Sequence, residues 1–179
     1  FLSTTQVAGL NSTQLGTLQS TQLQALTNNQ VSSLTLAVLG STQIQKLSSS
    51  QASAITSTQL NALAGTSTAT LRAIETADLR AIKTSVIGGL STTVTNNLST
   101  AQIEALTVQQ VESLTSGQLN VLSTGSLTAL TSSQISQLST TQLSGLTTTQ
   151  LDALTSTQTN ALTGAQLDYL APNSALLNN

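Results

Sequence analysis

Residues 139–154 read STTQLSGL followed by TTTQLDAL, which are two units of one eight-residue pattern. In both units a Ser or Thr stands first, a Gln fourth, an aliphatic residue fifth, a small residue seventh and a Leu eighth. The pattern [ST]-x-x-Q-[LIV]-x-x-L extends outward from here over most of the chain, from Leu2 to Leu170. A fixed short period predicts a repeat architecture, in which each unit is stable only when it stacks on its neighbours.

The register of the repeat slips twice. Five residues, 35–39, stand in place of a unit of eight, and three additional residues, 64–66, interrupt the pattern further on. The loss and the gain cancel, so the original phase returns, which suggests an architecture with a fixed number of residues per coil. We predict a single octad-repeat solenoid over residues 1–170 and a C-terminal tail over residues 171–179.

The composition of the octad favours short helices. A continuous α-helix would rotate its apolar stripe by about 80° in every eight residues, so no face of it would stay apolar. A Ser or Thr followed by Gln three residues later is the capping-box pattern, in which Thr147 caps a helix and Gln150 reaches back to the backbone N–H of the cap. Leu151 and Leu154 then lie on one helical face. We therefore predict an all-α solenoid of very short capped helices, one per repeat.

A β-solenoid is the alternative fold. Octads rich in Ser and Thr suit stacked strands, and Gln side chains can stack between strands. However, the two apolar positions of the octad have opposite parity, so one would face outward unless a turn intervenes. The units also lack the regular Gly, Asn or Pro that tight β-turns need. In the helical fold, the eighth-position leucines, such as Leu106 and Leu138, should form a buried aliphatic spine.

The composition argues against most chemistry. The chain has no His and no Cys, only 6% of its 179 residues are charged, and its net charge is −2. It therefore lacks the commonest general base, disulfides and thiolate metal ligands. Four basic residues are too few for a nucleic-acid footprint, and no apolar run approaches the roughly 20 residues that span a membrane. We expect no enzymatic activity, cofactor, metal, nucleic-acid partner or membrane insertion, and we interpret Gly88-Gly89 as a kink or tight packing point rather than a phosphate loop.

One segment differs from the rest in its charge. It contains Arg72, Glu75, Asp78, Arg80 and Lys83, and so three of the four cations of the chain. We predict either a charged contact patch for a partner or subunit, or a solvated face whose neighbouring charges contribute little. A catalytic role for the two carboxylates is not expected, because both lie next to arginines and no His or Tyr is near in the sequence.

The ends of the array are apolar. Neither Phe1 and Leu2 nor residues 171–177 provide the polar outer face that a monomeric capping repeat needs. Leu176 and Leu177 would be costly to leave in water, so these two leucines, with Phe1 and Leu2, are candidate inter-subunit contacts. We expect self-association into a homopolymer, and because the two ends differ, end-to-end contacts would generate an open filament unless they close into a ring.

Units such as LSTTQLSGL, LTTTQLDAL and LSTAQIEAL resemble the octapeptide arrays of long secreted bacterial surface proteins that are labelled adhesin-like or haemagglutinin-like. The resemblance covers Leu2 to about Leu170, although residues 72–83 depart from the pattern. It implies an extracellular or cell-surface location and a subunit or stalk of a filament, sheath or adhesive fibre. The alternative function is a binding module with a flat Thr/Ser/Gln/Asn face for ice or for surface glycans, and ordered outward-facing Thr rows would favour it.

Overall fold

The computed structural model describes residues 2–64 and 68–171. Within these ranges the chain forms twenty α-helices of four to seven residues and one 3-10 turn, and it has no strand. The predicted all-α solenoid is confirmed, and the β-solenoid alternative is wrong. The helices are α1 (Thr4–Ala8), α2 (Ser12–Gly16), α3 (Ser20–Gln24), α4 (Asn28–Ser33), α5 (Ser41–Ile44), α6 (Ser49–Ala52), α7 (Ser57–Asn61), α8 (Thr68–Arg72), α9 (Thr76–Ala81), α10 (Thr84–Gly88), α11 (Thr92–Asn97), α12 (Thr100–Ala105), α13 (Val108–Glu112), α14 (Ser116–Asn120), α15 (Thr124–Thr128), α16 (Ser132–Ser136), α17 (Thr140–Leu143), α18 (Thr148–Asp152), α19 (Ser156–Thr159) and α20 (Gly164–Leu170), with the 3-10 turn Leu36–Val38 between α4 and α5.

Most of the helices begin at capping boxes. The Thr147 hydroxyl accepts a hydrogen bond from the Gln150 N–H at 3.2 Å, and Gln150 Oε1 accepts one from the Thr147 N–H at 2.8 Å. Thr155 and Gln158 make the same two bonds, so the predicted caps are confirmed. The backbone of Thr147 is extended, and the chain therefore changes direction at each cap before the next helix begins.

The short helices stack in three columns, because each packs on the helix three units further along the chain. Hydrogen bonds and close backbone approaches between successive coils place the remaining helices in the same columns. The result is a three-sided solenoid with three units in each coil. Face 1 consists of α1, α4, α6, α9, α12, α15 and α18; face 2 of α2, the 3-10 turn, α7, α10, α13, α16 and α19; and face 3 of α3, α5, α8, α11, α14, α17 and α20.

The number of units per coil is constant, whereas the number of residues is not. On face 1, the start of α4 follows the start of α1 by 24 residues. The coil that contains the short unit 35–39 takes only 21 residues, from Asn28 to Ser49, and the following coil takes 27, from Ser49 to Thr76. The expectation of a fixed number of residues per coil is therefore wrong, because a 3-10 turn forms one side of the solenoid with fewer residues than a capped helix.

The core is an aliphatic spine made from the fifth and eighth positions of the units. Leu106 and Leu138 are each 3% exposed, which confirms the predicted burial. Ile103 and Ile135, at the fifth position of the same units, are completely buried. In the first coil the eighth-position leucines are only half-buried, because no described coil lies beneath them. These leucines are Leu10, Leu18 and Leu26.

Candidate interaction surfaces

The side-chain amide of the Gln at the fourth position of the unit joins one coil to the next, beyond its role in the cap. Gln110 is buried, and its Oε1 accepts the N–H of Thr107 at 2.8 Å. Its Nε2 group lies over the preceding coil, where it donates to the carbonyls of Leu79 at 2.8 Å and Ile82 at 2.7 Å. One amide therefore satisfies a helix start in its own coil and two carbonyls at the corner of the coil below.

The same arrangement repeats through the solenoid, and we call the set the glutamine ladder. In the C-terminal coils each ladder Gln donates to the fifth- and eighth-position carbonyls of the unit four before its own, or to the eighth-position carbonyl alone. Because both the oxygen and the nitrogen of the amide are used, the ladder fixes the register between coils as well as the cap. Its buried members are Gln30, Gln51, Gln59, Gln102, Gln110, Gln118, Gln134, Gln142, Gln150, Gln158 and Gln166.

The first coil presents the donor half of this ladder. Gln6 and Gln14 accept from their cap N–H groups at 2.8 and 3.0 Å, and Gln22 does so at 2.8 Å. All three side chains are exposed, and within the described residues no carbonyl accepts a bond from their Nε2 groups. The predicted contact residue Leu2 lies here too, 47% exposed, while its carbonyl accepts a bond from Gln30 Nε2.

The last coils present the acceptor half. Gln166 is the final ladder residue of the described chain, and it bonds the carbonyls of Ile135 and Leu138. In the described chain no later Gln bonds the equivalent carbonyls of the next three units. These are the carbonyls of Leu143 and Leu146, of Leu151 and Leu154, and of Thr159 and Leu162. The other predicted contact residues, Phe1, Leu176 and Leu177, lie outside the described residues.

The charged segment does not gather into one patch. Arg72 and Arg80 lie on faces 3 and 1, and their Nε groups donate to the carbonyls of Asn97 at 3.0 Å and Ala105 at 2.9 Å in the next coil. Both arginines thus clamp adjacent coils, a role that the sequence pattern did not predict.

The other charged residues differ in burial. Asp78 is buried at the Gln position of its unit, where its carboxylate accepts the Ser49 hydroxyl of the preceding coil at 2.7 Å. Glu75 and Lys83 are exposed at N-cap positions, and neither side chain caps its helix. Asp78 therefore belongs to the joint between coils, and Lys83 and Glu75 remain available at the surface.

Two glycines allow coils to approach closely. A Cβ atom on Gly88 would lie 2.5 Å from the carbonyl oxygen of Ser113, and one on Gly145 would lie 2.5 Å from that of Ser116. Both neighbours are backbone atoms of the next or preceding coil on the same face, so they cannot move aside easily. The interpretation of Gly88 as a tight packing point is confirmed.

Metal-ligating side chains do not cluster in the described residues. Within them no group of three or more acidic, His or Cys side chains lies close enough together to hold a metal ion. No helix in these ranges is long and apolar enough to cross a membrane. What the arrangement offers instead is hydrogen-bonding surface, at the two end coils and along the three faces.

The ALTTAQ repeat is the family whose model matches this chain, over residues 71–116. The pattern corresponds to positions seven, eight and one to four of the octad, as residues 105–110 show with ALTVQQ. No curated protein and no solved structure matches the chain. The match supports a repeat array.

Proposed function

We propose that the chain is a non-enzymatic structural rod, a subunit or stalk of an extracellular or cell-surface filament, sheath or adhesive fibre. One observation carries the proposal: within the described residues, the Nε2 groups of the first-coil Gln side chains have no carbonyl acceptor, and the corner carbonyls of the last coils accept no Gln amide. These are the two halves of the joint that connects successive coils everywhere else in the ladder. The rod can therefore be extended by a second copy or by further repeats of the same kind.

The phase of the two ends supports this extension. The last described unit, α20, lies on face 3, so the next unit would lie on face 1, where α1 lies. A following copy placed in that phase puts its Gln6 over the carbonyls of Leu143 and Leu146. Its Gln14 then lies over the carbonyls of Leu151 and Leu154, and its Gln22 over those of Thr159 and Leu162.

Apolar burial acts in the same direction. The half-buried leucines of the first coil would become as buried as Leu106 is when a coil lies beneath them. Burying an aliphatic side chain fully contributes about 1.5–3 kcal/mol, and each hydrogen bond about 0.5–1.5 kcal/mol. A stacked joint thus repeats the interactions that stabilise each internal coil. The resemblance to secreted bacterial arrays supports an extracellular setting for such a rod.

The proposal is tested by comparing the assembly state of the chain with that of a variant in which the Gln donors of the first coil are replaced. Glu at the fourth unit position still accepts the cap N–H but cannot donate to a carbonyl. We expect the 179-residue chain to form concentration-dependent filaments in sedimentation and electron micrographs. The triple variant Gln6→Glu/Gln14→Glu/Gln22→Glu should stay folded and form no filaments.

A matched control adds the same charge away from the ends. Gln45, Gln109 and Gln137 are exposed and outside the ladder, so their triple Glu variant should assemble like the parent chain. A variant without residues 172–179 tests the contribution of the predicted contacts Leu176 and Leu177. Wild-type protein that stays monomeric at tens of micromolar (roughly the range in which weak interfaces form), or an end variant that assembles normally, would contradict the proposal.

Binding to an ordered surface is the second candidate function, and a specific row of side chains favours it. Thr76, Thr100, Thr124 and Thr148 occupy the second position of successive face 1 units and are all exposed. The fold repeats their hydroxyl and methyl groups once per coil, which matches the row that this function needs. Ice or an insoluble polysaccharide is the expected ligand.

This candidate is tested by co-sedimentation with crystalline polysaccharide and by exclusion from, or incorporation into, growing ice. Thr100→Lys/Thr124→Lys should abolish binding. The control Thr58→Lys/Ser133→Lys, on face 2, should retain it. Equal binding by both double variants would rule out the face 1 row.

A further inference from the structure

The charges of the chain are separated along the rod. Residues 1–83 hold all four cations and two carboxylates, a net charge of +2, whereas residues 84–179 hold four carboxylates and no cation, a net charge of −4. Because each coil takes three units, this separation in sequence becomes a separation in space. Coils two to four contain the basic residues, and coils five to seven contain only acidic ones.

One edge of the solenoid concentrates this difference, the edge where the chain passes from face 1 to face 2. We call it the 1–2 edge. Arg80 and Lys83 lie on it in coil four, Glu104 in coil five, Thr128 in coil six and Asp152 in coil seven. The four charged residues are exposed. The edge thus begins with two cations and ends with a carboxylate three coils away.

The 1–2 edge is also suited to close approach. A shallow groove along this edge is lined by short side chains together with the charged residues Arg80 and Glu104. The Arg80 Nε group is fixed by its bond to the Ala105 carbonyl, which holds the guanidinium group at the edge. The lining residues are Thr76, Arg80, Ala101, Glu104, Ala105 and Thr131.

We propose that two copies of the chain pair side by side and antiparallel along their 1–2 edges. A two-fold axis between coils five and six sets Arg80 and Lys83 of each copy opposite Asp152 of the other. It also sets Glu104 opposite the neutral Thr128. Both copies then contribute the same surface, as a two-fold interface requires.

Other side-by-side arrangements are less complementary. A parallel pair in register sets Arg80 against Arg80 and Asp152 against Asp152, so like charges meet at both positions. A parallel pair staggered by three coils joins the cations to Asp152 only once. The antiparallel pair forms the contact twice, and it does not depend on the end-to-end joint.

The contact should be weak and sensitive to salt. Exposed ion pairs contribute little individually, and charges farther apart than about 8 Å are screened at physiological ionic strength. We therefore expect pairing at low ionic strength and its loss at about 0.5 M salt. Paired rods would thicken a filament, whereas end-to-end contacts lengthen it, so width and length in micrographs separate the two interactions.

Charge reversal tests the pairing directly. Arg80→Glu/Lys83→Glu, or Asp152→Lys alone, should each raise the dissociation constant of the lateral pair about tenfold in sedimentation equilibrium. The chain with all three substitutions should pair again, because both ion-pair contacts between the copies are restored with reversed sign. A mixture of the two reversed chains should form a mixed pair more tightly than either chain pairs with itself.

Asp168→Lys is the matched control, because it makes the same charge change on face 3. It should leave pairing unchanged, and so should the Gln6→Glu/Gln14→Glu/Gln22→Glu variant that blocks end-to-end growth. The proposal is overturned if single reversals have no effect, if the triple reversal does not restore pairing, or if Asp168→Lys weakens it equally. A parent chain that pairs normally but forms no filaments would contradict the end-to-end proposal alone.

Discussion

Two regions of the solenoid share one backbone but use different side chains between coils. Over residues 99–170, Gln occupies the fourth position in every unit except one, where Ser126 stands. Over residues 67–98, the fourth positions are Thr70, Asp78, Val86 and Val94. Helices of both regions nevertheless stack in the same three columns.

The Gln-free region replaces the ladder with other contacts. Val94 is completely buried and Val86 is 8% exposed, so apolar contact takes the place of the amide. Asn61 of the preceding coil replaces the Gln acceptor of the cap N–H, since its Oδ1 accepts the Ser91 N–H at 2.7 Å and its Nδ2 donates to the Gly89 carbonyl at 3.0 Å. The comparison indicates that the spine determines the path of the chain, whereas the ladder satisfies polar groups between coils.

The largest expected effect concerns the spine, which both regions share. Leu106→Ala and Leu90→Ala should each lower the free energy of unfolding by about 2–5 kcal/mol, because each removes a buried side chain and leaves a cavity. Chemical denaturation followed by circular dichroism measures both. Similar losses are expected in the two regions. A loss confined to Leu106 would show that the Gln-free region does not depend on the spine.

The second prediction concerns the ladder, which residues 67–98 lack. Gln110→Ala should lower the free energy of unfolding by about 2–4 kcal/mol, because the Thr107 N–H and the carbonyls of Leu79 and Ile82 lose a buried partner. Gln6→Ala in the first coil is the control, and it should cost less than about 1 kcal/mol since Gln6 is exposed. Equal losses would mean that the bonds between coils contribute nothing beyond the cap.

The capping boxes and the spine could be predicted from sequence because both are local. Thr147 and Gln150 are three residues apart, and the period of eight identifies Leu106 and Leu138 without knowledge of the fold. The pattern also predicted a role for one end of the Gln amide. The Nε2 contacts could not be predicted, because they join residues 28 and 31 positions apart and depend on the number of units per coil.

The sequence contains only an indirect signal of the number of units per coil, namely the two register slips. Both register slips are compatible with a solenoid in which each coil contains three units rather than a fixed number of residues. The short unit 35–39 fits only because a 3-10 turn spans one side of the solenoid. The arginine clamps of Arg72 and Arg80 were equally hidden, because their carbonyl partners lie 25 residues away. Long-range partners of this kind require the coil geometry first.

The third prediction concerns close approach, which again is common to both regions. Gly88→Ala and Gly145→Ala should each cost about 1–3 kcal/mol of stability, because the added Cβ meets a backbone oxygen at 2.5 Å. Gly16 is the matched control, since it lies at the same unit position and on the same face as Gly88 but has no atom within 4 Å of an added Cβ. Gly16→Ala should be neutral or slightly stabilising in thermal unfolding. A destabilised Gly16→Ala variant would show that backbone freedom, rather than space, explains these glycines.

The smallest expected effect concerns the caps. Thr147→Ala should lower the free energy of unfolding by about 1 kcal/mol, because the Gln150 N–H loses its side-chain acceptor. Glu75 occupies the same position in the Gln-free region without capping its helix. Glu75→Ala should therefore change the free energy of unfolding by a few tenths of a kcal/mol at most. Hydrogen exchange at the amides of Gln150 and Asp78 measures each helix start separately. Faster exchange at Gln150 alone is the expected outcome, since only that start depends on a side-chain cap; equal acceleration at both amides would show that the two regions begin their helices in the same way.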